Sequence, residues 1–233
     1  MKSEPESYYP IYLQLKDQPC TVIGGGQIAE GKVEGLLAAG AQVKLVSPAL
    51  TGPLAAIVRA GDVTYVERAY QPGDLQGAFM VICATDHPEI NHQVWQEATA
   101  NRQLVNVVDD TPRCNFIAPS ILRQGDLSIA ISTSGRAPAL AVRLKERLQA
   151  EIGPHYAHFL RLAGKLRQPL AEHIPDFETR KALWYRLVDS DVLSLLEQGD
   201  EEAALQKISQ IVGFQFEIKK CEAEPAFNPG LTL

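Results

Sequence analysis

Six consecutive residues, Gly24-Gly25-Gly26-Gln27-Ile28-Ala29, fit the pattern G-x-G-x-x-G/A. The first glycine permits a tight turn, and the second lets backbone approach a pyrophosphate. A small residue at the end allows close helix–strand packing, while the N–H groups opening the helix hold the anion. The pattern carries weight only in context, and here an apolar run over 20–24 precedes it and a helical stretch follows. The reading is a dinucleotide site; the bland alternative is a purely structural glycine turn. An acid that binds the ribose should close the second strand, yet the residues there are Val46-Ser47-Pro48. Ser47 can hydrogen-bond a ribose hydroxyl without repelling a 2′-phosphate. No arginine follows immediately to attract one, so NAD is expected over NADP.

The next residues able to do chemistry lie at two further strand ends. One reads Ala84-Thr85-Asp86-His87 and the other Val108-Asp109-Asp110. In open parallel sheets ligands lie beyond the carboxyl ends of the strands, so three acids and a histidine converge where a nicotinamide would be. Asp86 could simply cap the following helix, and Asp110 could belong to the turn before Pro112. Asp109 directly follows the apolar Val107-Val108 and should sit at the mouth of the cleft. A carboxylate there could be a general base or hold a metal ion. His87 and His92 share no helical face, HExxH is absent, and no histidine metal site is expected. No nucleophile elbow or Cys/His dyad supports hydrolase chemistry.

Ser132-Thr133-Ser134-Gly135-Arg136 forms a small polar loop before a helix starting near Pro138, and Arg143 lies two turns further in. Loop N–H groups with a helix dipole behind them favour an anion. Residues 136–186 hold ten Lys or Arg against five Asp or Glu, although the whole chain is at -6. That stretch is either a positive wall for a polycarboxylate or a solvated helical face.

These groups need elements to position them. Apolar runs at 20–24, 43–46, 63–66, 79–84 and 104–108 alternate with helical spacing over 27–39 and 88–101. Strand and helix in alternation predict a parallel sheet with right-handed crossovers. Residues 115–122 and 127–132 look like an antiparallel pair joined at Gln124-Gly125-Asp126. Helices are expected over 138–151, 155–168, 177–189 and 191–212, the last broken near Gly199. The tail after Gly213 shows no periodicity and is expected to be poorly ordered. The fold class is α/β: a Rossmann-like domain over 1–113, a short strand-containing segment over 114–150, a helical domain over 151–212, and a tail over 213–233.

Composition excludes other classes. With 233 residues, 45% hydrophobic and 21% charged, the chain is neither disordered nor fibrous. No run approaches a membrane span. The acidic start is unlike a secretory signal. Cys20, Cys83, Cys114 and Cys221 are far apart and read as reduced thiols of a cytoplasmic protein. A net charge of -6 argues against nucleic acid as partner.

Several segments together resemble the siroheme synthase dehydrogenase/ferrochelatase family over roughly residues 8–212. They are Tyr12-Leu13, Thr21–Ala29, Ala84-Thr85-Asp86, Asn106-Val107-Val108-Asp109-Asp110, Cys114-Asn115-Phe116 and Ser134-Gly135-Arg136-Ala137-Pro138. The resemblance implies NAD-dependent oxidation of precorrin-2 to sirohydrochlorin, then insertion of ferrous iron (Fe2+) to give siroheme. It implies a homodimer whose dimerisation domain is built by the 114–150 strands and helix. It ties Asp109 to both reactions as the catalytic carboxylate. Gly24, Gly26, Gln27, Ile28, Ser47, Pro48, Ala49, Thr85, Asp86 and Val107 are then the cofactor-binding residues. Asn106, Ser134, Gly135, Arg136 and Arg143 are those for the tetrapyrrole substrate, with no resident metal site. Two alternatives stay open: a dehydrogenase without chelatase activity, and a regulatory NAD-binding module without catalysis. The chain is too short to contain the methyltransferase fused to some relatives.

Overall fold

A computed structural model of the protein describes residues 8–217. Most of the tail read as irregular after Gly213 lies outside the described residues, as do Cys221 and the acidic first residues. The described chain parts into two compact units. One takes in 8–119 and 132–138, the other 120–131 and 139–217.

The first unit is a five-stranded parallel sheet of β1 (Pro19–Ile23), β2 (Gln42–Val46), β3 (Val63–Val66), β4 (Met80–Cys83) and β5 (Leu104–Val107). Its spatial order is β3-β2-β1-β4-β5, which reverses direction of growth at β1 and opens a crevice between the β1 and β4 ends. Helices α1 (Gln27–Ala38), α2 (Gly52–Ala60) and α3 (Pro88–Ala100) make the crossovers. One face packs Val22, Leu45 and Ile82 against Ala29, Val33 and Leu36 of α1 and Leu54 of α2. The other packs Ile23, Val81, Val105 and Val107 against Val94 and Ala98 of α3. Every residue of β4 is buried, as its unbroken apolar run requires when both faces are covered.

Helix α2 is absent from the sequence reading, although its ends are marked. Thr51 accepts a hydrogen bond from Leu54 N, Pro53 sits in the first turn, and Gly61 closes the helix at φ 84°. With nine residues and only Leu54 buried, it leaves little periodic trace. Strand β6 (Ser120–Gln124) starts later than the apolar run suggests. Asn115 is tied to β5: its Oδ1 accepts from Val105 N at 2.8 Å and its Nδ2 donates to Gln103 O at 2.8 Å. Residues 115–116 therefore finish the parallel sheet edge rather than begin the hairpin.

The second unit holds the antiparallel hairpin of β6 and β7 (Leu127–Ile131). Helices α4 (Pro138–Glu151), α5 (His155–His173), α6 (Phe177–Val188), α7 (Val192–Glu197) and α8 (Glu201–Val212) follow. Leu166, Leu170, Leu187 and Ile208 centre its core. Helix α5 runs past Pro169 because its buried stripe continues at Leu170. Gly199, at φ 80°, separates α7 from α8, and Asp200 caps α8 by accepting from Ala203 N at 2.9 Å. Among the described residues no helix is long and apolar enough to cross a membrane.

Candidate active site

The carboxyl ends of β1, β2, β4 and β5 border a cleft of about 1000 Å³. Its phosphate end is the glycine loop. Gly24 has φ +115°, and a Cβ there would stand 2.2 Å from the Ala84 carbonyl oxygen. A Cβ on Gly25 would stand 2.0 Å from the Ala49 carbonyl oxygen. These two glycines let three strand ends close around the loop. Gly26 differs, because a Cβ there would meet nothing within 4 Å. It is the N-cap of α1, with extended backbone and no side-chain cap, so the first N–H groups of α1 point at open cleft. That uncapped terminus beside space at a glycine fits a dinucleotide pyrophosphate, with the helix dipole in the favourable sense.

The cleft is lined by Gly24, Gly26, Gln27 and Ile28, by Ser47, Pro48 and Ala49, and by Thr85, Asp86 and Asp109. Ser47 is buried, and its hydroxyl donates to Ala49 O at 2.7 Å, so it shapes the β2 turn and keeps only lone pairs for a ligand. Arg68, just past β3, is engaged by Asp74 through two hydrogen bonds of 2.7 Å. Asp86 does not cap α3. The N-cap is His87, without a side-chain cap bond, and His87 N instead donates to Thr85 Oγ1 at 3.2 Å. Thr85 is held in turn by Asn91, donating to Oδ1 at 2.9 Å and accepting from Nδ2 at 3.1 Å through its carbonyl.

Asp109 lies at the β5 end in left-handed backbone, φ 61°. Non-glycine residues adopt that conformation at a cost, Asp less than most. Here it turns the chain out of the sheet, with the carboxylate bordering the cleft. Asp110 pairs with Arg113, and both also line the cleft. Two neighbours from the sequence reading point elsewhere. Val107 is buried in the core on the α3 face, and Val108 lines the cleft instead. The Asn106 side chain donates to Phe116 O at 3.1 Å and lies within 3.5 Å of Cys114 Sγ, so its amide braces the sheet edge.

Ser134 and Gly135 also have left-handed backbone, φ 51° and 74°. Their loop is bonded to itself, with Arg136 N donating to Thr133 O at 3.0 Å and Ala137 N to Thr133 Oγ1 at 3.2 Å. A Cβ on Gly135 would lie 3.7 Å from Thr111 Oγ1, which places the loop beside the turn that follows β5. Arg143 belongs to the helical unit, where it is exposed and pairs with Glu146 at 2.7 Å. Burial pushes the Cys20 and Cys83 thiols up to about 11 and about 12, which leaves them protonated and unreactive. The sequence reading passed over Asn91 and Arg113, which also line the cleft. Only the Thr85-to-Asn91 spacing across the β4–α3 junction offered a signal.

The chain is similar to known proteins over most of its length. Residues 11–120 match an NAD(P)-binding family, 124–151 a sirohaem biosynthesis protein central region, and 155–211 a sirohaem synthase dimerisation region. Siroheme synthase of Photobacterium profundum is 37% identical over 201 residues, covering 86% of this chain and 43% of that protein. Siroheme synthase 1 of Pectobacterium atrosepticum is 39% identical over 204 residues, covering 88% and 42%. The chain thus spans less than half the length of these curated relatives. The solved structure of SirC, a precorrin-2 dehydrogenase, superposes with a TM-score of 0.74 at 26% identity, covering 87% of this chain and 100% of that one. Three successive regions are thus matched in order, two of them described for sirohaem proteins, and over most of its length the chain is similar to siroheme synthases.

Proposed function

We propose that the chain oxidises precorrin-2 to sirohydrochlorin with NAD and then inserts ferrous iron to give siroheme. The observation that carries this reading is Asp109, a carboxylate in left-handed backbone that borders the same cleft as the glycine loop. Support also comes from the solved relative, a precorrin-2 dehydrogenase, and from the siroheme synthases.

The α1 N–H groups beyond Gly26 would hold the pyrophosphate, and the Thr85–Asn91 pair would fix the β4 end beside the nicotinamide. NAD supplies the hydride acceptor when bound. Oxidation also releases a proton from the macrocycle, and the Asp109 carboxylate accepts it. Iron insertion displaces two pyrrole N–H protons, and the same carboxylate takes them up one after the other, passing each to water. NAD is favoured over NADP because Arg68, the arginine following β3, is committed to Asp74. The positive excess of 136–186 attracts a polycarboxylate macrocycle through its long-range field. A homodimer is supported by the dimerisation region at 155–211 and by the exposed Leu140, Val142 and Leu144 of α4. Buried, protonated Cys20 and Cys83 suit a reducing cytoplasm.

The test is a paired anaerobic assay. Precorrin-2 with NAD should raise the near-ultraviolet absorbance of reduced cofactor, and NADP should do so far more slowly. Sirohydrochlorin with Fe2+ or Co2+ should then metallate above the uncatalysed rate. No cofactor reduction would refute the reading, while oxidation with only background metallation would confine it to the dehydrogenase.

A further inference from the structure

The two polar flanks of α1 face different surroundings. Its buried stripe of Ala29, Val33 and Leu36 packs on the sheet, with Val108 and Phe116 at the margin of the same cluster. On one flank Glu30 accepts the Thr51 hydroxyl at 2.8 Å, so that flank faces the start of α2. Lys32 is two residues further on, about 200° around the helix. It therefore lies on the opposite flank, toward β4 and β5. Cα–Cβ bonds tilt toward a helix N-terminus. The Lys32 side chain accordingly runs back toward Ile28, which lines the cleft, and toward the strand ends.

Lys32 is half-buried. Burial lowers the pKa of its ammonium, and the negative charge of Asp109 opposes that by holding the proton on. The ammonium has no hydrogen bond or ion pair with another described residue. Of the other charged groups bordering the β5 end, Asp110 and Arg113 pair with each other. Among the described residues Lys32 is thus a cation that feels the Asp109 charge without an ion pair of its own.

We propose that Lys32 is a positioning residue for Asp109, its ammonium on the β5-facing flank of α1 keeping that carboxylate ionised as cofactor and macrocycle displace water. A carboxylate losing its water gains affinity for a proton and fails as a base, and a nearby cation offsets this. The inference rests on the assignment of Asp109 as proton acceptor.

Two measurements test it. The first needs no substrate: a lysine-labelled NMR titration of the full chain. The Lys32 signal should titrate below those of the exposed lysines, and its midpoint should fall further in Asp109→Asn. A midpoint that ignores Asp109→Asn overturns the proposal. The second is kinetic. Lys32→Met should retain NAD affinity and move the acid limb of the kcat profile to higher pH, with a loss reaching about tenfold on the acid side. Lys32→Arg should restore the limb, and Lys32→Met should cost nothing more in an Asp109→Asn background. An unmoved limb, or a full additional loss in that background, also overturns it. Should the wild type oxidise no precorrin-2, the functional reading falls, and the NMR titration alone decides whether the pair is coupled.

Discussion

Gly24 and Gly26 belong to one motif but answer to different constraints. Gly24 combines φ +115° with a carbonyl oxygen 2.2 Å from any Cβ, so Gly24→Ala should lose about 2 kcal/mol or more of folding stability, read by chemical denaturation. Gly26 has ordinary extended backbone and open space beside it. Gly26→Ala should fold with wild-type stability and lose at least about tenfold in NAD affinity, measured by titration calorimetry. Equal losses of stability in both variants would contradict this division. Spacing alone made the glycines and Asp109 legible, because their chemistry depends on position after a strand. It could not separate Val107 from Val108: both are apolar, and only the sheet shows which faces α3 and which the cleft. Asn106 reads as a ligand until its amide is seen bracing the sheet edge. Lys32 was illegible for a related reason, since a lysine on an amphipathic helix reads as solvated until its flank is known.

At the scale of elements, the long connection between β3 and β4 shows what periodicity misses. Asp74 accepts from Arg68 and from Gln71 N at 2.8 Å. Glu97 on α3 accepts from the Tyr70 hydroxyl, Gly73 N and Leu75 N. These bonds hold Ala69 and Tyr70 at the cleft wall, and carboxylate-to-backbone bonds leave no repeating pattern. Strands, crossover helices and the helical end were legible because apolar spacing records burial. Helix α2 was not, being short and signalled only by its caps. The hydrogen bond from Arg68 holds the Asp74 carboxyl down to about 2. Its folded pKa lies below the unfolded one, so this contribution to stability is present above about pH 4 and is lost as pH falls toward 2. Arg68→Met should therefore destabilise the protein near neutral pH, with the gap to wild type closing toward pH 2. A gap that stays constant from pH 7 to 2 would contradict the assignment.

For the whole molecule, the helical unit has its own core around Leu166, which is 1% exposed. Leu166→Ala should destabilise that unit by about 3 kcal/mol, seen by denaturant titration of its helical signal. Leu140 and Leu144 lie one turn apart on α4 and are 53% and 37% exposed, a cost a lone chain has no reason to carry as a pair. The protein should run at twice the chain mass by light scattering, and Leu140→Glu with Leu144→Glu should shift it to monomer. An unaltered dimer would exclude that face. Basic residues outnumber acidic ones within 136–186 although the chain is at -6, and two of them, Arg143 and Lys181, are engaged by Glu146 and Glu178. The most direct test of the account is the single-turnover rate of cofactor reduction by precorrin-2 in Asp109→Ala saturated with NAD. The rate should fall by about a hundredfold or more with NAD affinity unchanged, and reduction at the wild-type rate would contradict the assignment of Asp109 as the base.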